Sequence, residues 1–454
     1  MDKKNSLINL GCRLNIYEGE IIKNHLNDNN IKNVTIINSC AVTAEAEKKV
    51  TYEIRKAKRI NPENKIIVTG CAAQINPKKY DAIEEVDLVL GNKEKLLSRV
   101  WSNLNFSKPI QVEDILLEKK TVPTSIEKFD GKSRAYIEIQ QGCDHRCTFC
   151  IIPYGRGNNR SVPAGEIVER IKKIVKNGYR EVVLTGVDIT DYGKDLPAKP
   201  TFSNLIKRVI KLVPDLEQLR LSSIDCAEID EEFWDLLSEK KLMPHFHISL
   251  QAGNNLILKR MKRRHSREMA IDFCNKVLSK RNEATFGADL IVGFPTETDE
   301  MFKDTLDLVD QCHLTHLHVF SYSPRINTPA ARMPQVDKST IKDRANTLRQ
   351  MGIKKLKKYL AKKIGKKDLI LIEKVQNENS IGKDQNFFNV IVNEKIKEGD
   401  IIACVYTGVN NNMLMAKRIR VYSLNLKTTF KKHLTFYHQI YLVLFKIKKL
   451  IQKP

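Results

Sequence analysis

The chain has 454 residues, 42% of them apolar and 29% charged, which leaves room for two to four domains with ordinary cores and excludes extended disorder. Lys and Arg number 77 against 54 Asp and Glu, a net charge of +23 that favours a polyanionic partner such as RNA over a membrane surface. An Ile-, Lys- and Asn-rich composition would raise the bulk charge by itself, but it accounts less well for the clustering: eleven Lys/Arg and one acid between Lys342 and Lys367, and six basic residues of nine between Lys259 and Arg267.

The N-terminus MDKKNSLINLGC carries no signal-peptide pattern, and no run reaches the ~18 apolar residues of a membrane span. A cytoplasmic setting without integral membrane association is the expectation. Disulfides are rare there, so the ten cysteines call for metal binding, catalysis or burial.

In chain order, the fold class reads as α/β. Residues 1–110 predict a doubly wound parallel sheet, with strands at Leu7–Leu10, Val34–Ile37, Ile66–Val68 and Val86–Leu90 and charged helices between them. Residues from about 101 to 133 are weakly patterned and read as a connection. A second series, 129–363, carries strands at Tyr136–Gln140, Glu181–Val187, Gln218–Leu221, His245–Leu250, Ala288–Val292 and His316–Phe320. Six such units predict an open, partial (β/α)6 barrel closed off by a basic helix at Ser339–Lys363. From 364 to 423 the apolar period changes to two. Leu369–Val375, Phe388–Val392, Ile401–Tyr406 and Met413–Val421 then read as a small β-barrel. Residues 424–454 form a tail with seven lysines and no acid.

Two cysteine groups carry chemistry. Cys143, Cys147 and Cys150 follow the first barrel strand, at the end where such barrels place their sites. Three thiolates at C-x3-C-x2-C spacing hold three irons of a four-iron cubane and leave the fourth open. The amino and carboxylate groups of S-adenosylmethionine (SAM) would chelate that iron. A zinc site with His145 as fourth ligand is the alternative, with an awkward spacing for a tetrahedron. Cys12, Cys40 and Cys71 are distant in sequence, yet each follows an apolar strand by one or two residues. Strand C-terminal ends share one edge of a parallel sheet, so the three would converge into a second thiolate site. Burial as small hydrophobes is the alternative for each. Cys226, Cys274, Cys312 and Cys404 show no shared pattern and are assigned to packing.

These residues resemble one family, the radical-SAM methylthiotransferases, from about residue 5 to 421. The motifs are NLGCRLNIYE, INSCAVTAEAEKK and VTGC, then GCDHRCTFCIIPYGRG, VVLTGVDITDYG, RLSSIDCAEID, HFHISLQAGNNLILKRMKR and ADLIVGFPTET. The final β segment looks like a TRAM domain, an RNA-binding barrel, and the last thirty residues match nothing in the family. The resemblance implies two [4Fe–4S] clusters, one held by Cys143, Cys147 and Cys150, and an auxiliary one held by Cys12, Cys40 and Cys71. It implies that Phe149 packs near the SAM adenine and that Gly186, Ser222, Ser223, Gln251 and Asp289 line the SAM site; ordinary turn and packing roles are the alternative for each.

The stretches SCAVTAEAEKK and TGVDITDYG are most like the branch that converts N6-threonylcarbamoyladenosine, beside the anticodon of ANN-decoding tRNAs, to its 2-methylthio derivative. The isopentenyladenosine branch, the ribosomal-protein aspartate branch and a non-catalytic RNA-binding iron–sulfur protein are the alternatives. An electron donor such as flavodoxin or ferredoxin is implied. Lys262, Arg263 and Arg264 are expected to bind tRNA phosphates, against the alternative of a solvated helix face.

Overall fold

The computed structural model describes residues 5–419, so the basic tail 424–454 and the end of the expected strand Met413–Val421 lie outside the described residues. The N-terminal sheet is parallel, in strand order Ser6–Asn9, Val34–Ser39, Lys65–Gly70, Leu88–Leu90, Ile110–Gln111. Alternation in the strands supplies two apolar faces. Val34, Ile36, Ile67, Leu88 and Leu90 pack under the helix Arg13–Asp28 and Trp101. Ile37, Ile66, Val68 and Val89 pack under the helix Ala44–Ile60. Helices thus cover both faces, but the strand order never reverses, so the sheet has no switch-point crevice. The fifth strand, Ile110–Gln111, pairs with Leu90 and Val89 and carries the sheet past the expected boundary at 110. Two residues give no periodicity, so the sequence does not predict this strand.

The register brings three strand ends level. Asn9 pairs with Asn38, and Ser39 with Gly70. Cys12, Cys40 and Cys71 therefore leave the sheet from one edge, Cys12 as N-cap of the first long helix and Cys71 as first residue of a short helix. Gly70 has φ +93°, and a Cβ there would stand 2.3 Å from the Ser39 carbonyl oxygen.

All six strands expected for the larger barrel are present: Ala135–Glu138, Glu181–Thr185, Gln218–Leu221, His245–Gln251, Thr285–Val292 and Leu314–Ser321. They form two parallel three-stranded halves joined by the bridges Leu219–Leu242 and Ile224–Ile248. The barrel is open between its first and last strands. The N-terminal helix Arg13–Asp28 packs on the first of these, with Tyr17 Oη 2.6 Å from Thr124 Oγ1 and accepting from Arg170. Ala44 N donates to Ser323 Oγ and Glu47 pairs with Arg325, which ties the second long helix to the loop after the last barrel strand.

The C-terminal segment closes into a five-stranded barrel. Its strand Asn379–Asp384 was not anticipated, because its buried face is Ser380, Gly382 and Asp384 rather than apolar residues. Asp384 Oδ2 pairs with Lys363 Nζ at 2.5 Å and accepts from Tyr406 at 2.8 Å, which fastens the helix Lys338–Lys363 to this barrel. None of the helices among the described residues is long and apolar enough to cross a membrane.

A Gly70→Ala variant should lose at least about 1–3 kcal/mol, since an L-residue is strained at that φ and its methyl meets the neighbouring strand. Urea unfolding of the variant beside wild type checks this, and an unchanged midpoint would refute the strand-end packing.

Candidate active site

The loop cysteines sit on the strand-to-helix turn after Ala135–Glu138. Gly142, with φ +71°, lets the loop fold back: a Cβ there would lie 1.9 Å from the Asn158 carbonyl oxygen. Cys143 N donates to Gly157 O at 3.0 Å, and Thr148 is pinned by bonds to Met261 O and Arg260 O. Cys143, Cys147 and Cys150 line a cavity of about 310 Å³ with Phe149, Ser223, Gln251, Asp289 and Ile291. Val42 and Thr43, two and three residues after Cys40, line it too. Residues from both cysteine-bearing regions thus line the cavity.

Burial pushes the Cys150 thiol up to about 12 and raises Cys143 as well, with Asp188 adding to the latter. Such thiols stay protonated until a metal displaces the proton. The donor set fits an iron–sulfur cluster: three sulfurs on one loop, facing a roomy cavity walled by apolar side chains with polar groups among them. His145 comes together with Cys143 and Asp188 but not with Cys147 and Cys150, so it does not complete a tetrahedron on the three thiols. Its Nε2 is held by Asp188 at 3.0 Å and Glu228 at 3.3 Å. Burial would lower its pKa, but these two carboxylates outweigh that and lift it to about 10.

The expected SAM-site residues divide. Phe149, Ser223, Gln251 and Asp289 line the cavity, whereas Gly186 and Ser222 are not among its lining residues. Gly186 instead lets its turn close on Gln140, whose Oε1 and carbonyl oxygen would stand 2.8 and 3.0 Å from a Cβ. The expected phosphate ligands divide too. Arg263 is turned inward, its side chain 9% exposed, with Nη2 on Asp225 at 2.7 Å and Nη1 3.7 Å from Cys147 Sγ. A surface phosphate cannot reach it, and it is corrected to a wall of the cavity. Lys262 is exposed, and Arg264 pairs with Glu228 and His145 at the surface. Three packing cysteines also share geometry the sequence hid: after burial, Cys312 helps to raise the thiols of Cys226 and Cys274.

The second cysteine group is built on buried charge. Burial pushes Cys40 up to about 11, with Cys71 and Cys12 adding to it. Gly11, at φ +97°, passes so close that a Cβ would lie 2.8 Å from Cys40 Sγ. Arg156, six residues beyond Cys150, crosses from the barrel loop to this site. Its Nε donates to Cys71 Sγ at 3.1 Å, its Nη2 to Asn15 Oδ1 at 2.5 Å, and it pairs with Glu18. Lys95 Nζ, fully buried, reaches Glu18 Oε2 at 2.7 Å and Asn92 Oδ1 at 2.6 Å. Burial alone would lift Glu18, yet Arg156 and Lys95 hold it below the ordinary carboxylate range. Two buried cations against one carboxylate leave positive charge beside three thiols, the sign a thiolate cluster site requires. Neither Arg156 nor Lys95 was assigned a role from sequence; Arg156 lies within PYGRG, but no local rule says that it reaches another domain.

Comparison with known proteins agrees with this arrangement. Residues 137–309 match the model of the radical SAM superfamily, and residues 4–91 match the uncharacterized protein family UPF0004. The fold resembles the radical SAM methyltransferase TsrM from Kitasatospora setae, with TM-score 0.54 and 15% identity over 73% of this chain and 77% of that one. The barrel thus has the radical SAM fold. The threonylcarbamoyladenosine tRNA methylthiotransferase of Rickettsia prowazekii is 51% identical over 90% of this chain and 96% of its own length. That of Aquifex aeolicus is 35% identical, covering 79% and 90%. The tRNA-2-methylthio-N(6)-dimethylallyladenosine synthase of Natranaerobius thermophilus is 33% identical, covering 76% and 80%. The chain belongs to the radical SAM tRNA methylthiotransferases, transferases that use SAM and [4Fe–4S] clusters.

Anaerobically prepared protein should hold about eight irons if both groups bear a four-iron cubane, and replacing Cys143, Cys147 and Cys150 with Ala should leave about half. Full iron retention, or zinc alone, by metal analysis would contradict the assignment. Arg156→Met should cost about 3–5 kcal/mol, because Glu18 and Cys71 lose a buried partner. It should also deplete iron from the strand-end site alone, which the triple-Ala background isolates.

Proposed function

We propose that the substrate is tRNA bearing N6-threonylcarbamoyladenosine next to the anticodon, and that the product is its 2-methylthio derivative. The 51% identity to the Rickettsia prowazekii enzyme over nearly its whole length carries this reading. The geometry supports it, since the cavity beside Cys143, Cys147 and Cys150 is also lined by Val42 and Thr43, which follow Cys40 closely in the chain. On this reading Cys143, Cys147 and Cys150 hold the SAM cluster and Cys12, Cys40 and Cys71 the auxiliary one. When bound, the first supplies radical chemistry and the second the sulfur. The protein's own share is positional. Phe149, Ser223, Gln251 and Asp289 shape the SAM pocket, Arg263 holds Asp225 and Cys147 together, and Arg156 sets the charge at Cys71.

The segment 364–423 acts as an RNA-binding TRAM barrel, and Lys262 and Arg264 contribute phosphate contacts. The reductant is a flavodoxin- or ferredoxin-type donor, and the setting is cytoplasmic. A second reading, dimethylallyl- or isopentenyladenosine as substrate, draws on relatives at 33% identity; the polar interior of the barrel speaks against it, since an apolar side group leaves buried polar groups unpaired.

Reconstituted enzyme should methylthiolate tRNA carrying threonylcarbamoyladenosine and leave isopentenyladenosine tRNA unmodified, read by nucleoside mass spectrometry. The opposite preference would refute the substrate. Neutralising Lys262 and Arg264 together should shallow the salt dependence of tRNA binding by roughly one to two units of log K against log salt, since each lost phosphate contact removes about 0.9. An unchanged slope would return both residues to a solvated face.

A further inference from the structure

Below the SAM cavity the barrel interior is a well packed with polar side chains, of which Asp289 also lines that cavity. Alternation along the strands sets His245 and His247 beside Asp289 on the next strand and His316 and His318 on the last. His247 Nε2 and His318 Nδ1 both reach Asp289 Oδ1, at 3.0 and 3.1 Å. Asp289 thereby fixes the ring of His318, whose side chain remains 60% exposed. One layer down, His245 and His316 stand ring to ring at 4.6 Å.

The foot of the well is cationic. Phe387, from the C-terminal barrel, closes it in a left-handed conformation at φ +70°, a strain that side chains other than glycine tolerate only where the surroundings enforce it. Arg134, Arg220 and Lys383 surround its ring at 5.2, 5.0 and 4.6 Å. Glu181 satisfies Arg134 and Arg220, and Glu373 adds a second partner for Arg134. Arg13, the residue after Cys12, enters from the open side of the barrel and places its guanidinium 5.8 Å from the same ring. Among the described residues it makes no hydrogen bond and no ion pair, although burial and the facing Arg134 and Arg220 hold it below the ordinary arginine value. It keeps partial solvent access. A guanidinium in that position is a preformed fork for a carboxylate, and closing the pair removes the cost of leaving the cation unpartnered.

We propose that this well is a carboxylate-binding subsite in which Arg13 grips the charged end of the substrate's side group while Asp289-anchored His318 forms its wall. The inference rests on the threonylcarbamoyl reading, whose side group ends in a carboxylate. It adds the specificity determinant: the enzyme reads the acid and not merely the bulk of the group. Arg13 is thus a binding residue that links the loop of Cys12 to the substrate.

The test compares anticodon stem-loop RNA carrying threonylcarbamoyladenosine with the same RNA carrying the neutral threoninamide analogue. Wild-type kcat/KM should favour the acid by about 100-fold, the size expected when a charge-assisted hydrogen-bonded pair is replaced by a neutral contact. In Arg13→Gln the acid-to-amide ratio should fall to within about threefold of one. In Arg13→Lys, which keeps the charge and loses the fork, it should stay above about tenfold. Iron content of each variant reports an intact Cys12 loop. A wild-type ratio near one overturns the proposal without reference to any variant, so misfolding of Arg13→Gln cannot shield it. A ratio unchanged in Arg13→Gln overturns it as well. Wild type that ignores both acid and amide but modifies isopentenyladenosine RNA overturns the substrate reading itself, an outcome distinct from acid and amide being modified equally well.

Discussion

One buried guanidinium joins the two halves of this enzyme. Arg156 leaves the loop that presents Cys143, Cys147 and Cys150 and ends 3.1 Å from Cys71 Sγ, in contact with Glu18 and Asn15 of the N-terminal domain. A charge so placed has no solvent to fall back on, so each partner is required by the others. Glu18 compensates Arg156 and Lys95, and Lys95 in turn holds Asn38 and Asn92. The positive charge of Arg156 faces the Cys71 thiol, and a thiol must become a thiolate to bind a metal. Both cysteine groups are thus held in one frame.

The remaining contacts between the two domains serve the same frame. Gly155 lies so close to Cys71 that a Cβ would stand 3.1 Å from the cysteine Cβ, and Asn92 donates to the Gly155 carbonyl. Ile151 is buried in the same apolar cluster as Cys40 and Cys71. The first long helix lies on the open side of the larger barrel, where it supplies both Glu18 to the cluster frame and Arg13 to the barrel interior. An open barrel needs such a cover, because its first strand would otherwise present an unpaired edge.

Much of this was legible because it depends on short-range pattern. The six barrel strands are apolar runs of ordinary length, and C-x3-C-x2-C is local. The strand-end rule alone brought Cys12, Cys40 and Cys71 to one edge, since parallel strands in register end together. Failures arose where polarity or brevity masked the pattern. Ser380, Gly382 and Asp384 face a barrel interior without an apolar residue among them, and Ile110–Gln111 is a strand only because Val89 and Leu90 lie beside it. Lys262, Arg263 and Arg264 read as one basic run, yet the backbone turn at Lys262, φ +56°, sends Arg263 inward to Asp225 and leaves its neighbours outside.

By itself the sequence determined the α/β class and singled out six cysteines as cluster candidates, because periodicity and thiol spacing are carried by neighbouring residues. Only the tertiary structure decided which charges those cysteines meet. Arg156 and Glu18 are separated by 138 residues, Lys95 and Glu18 by 77. Arg13 and Phe387 belong to opposite ends of the chain. Pairings of that kind are fixed by how domains dock, and desolvation on docking is what gives a buried charge its strength; no local stretch of sequence contains either.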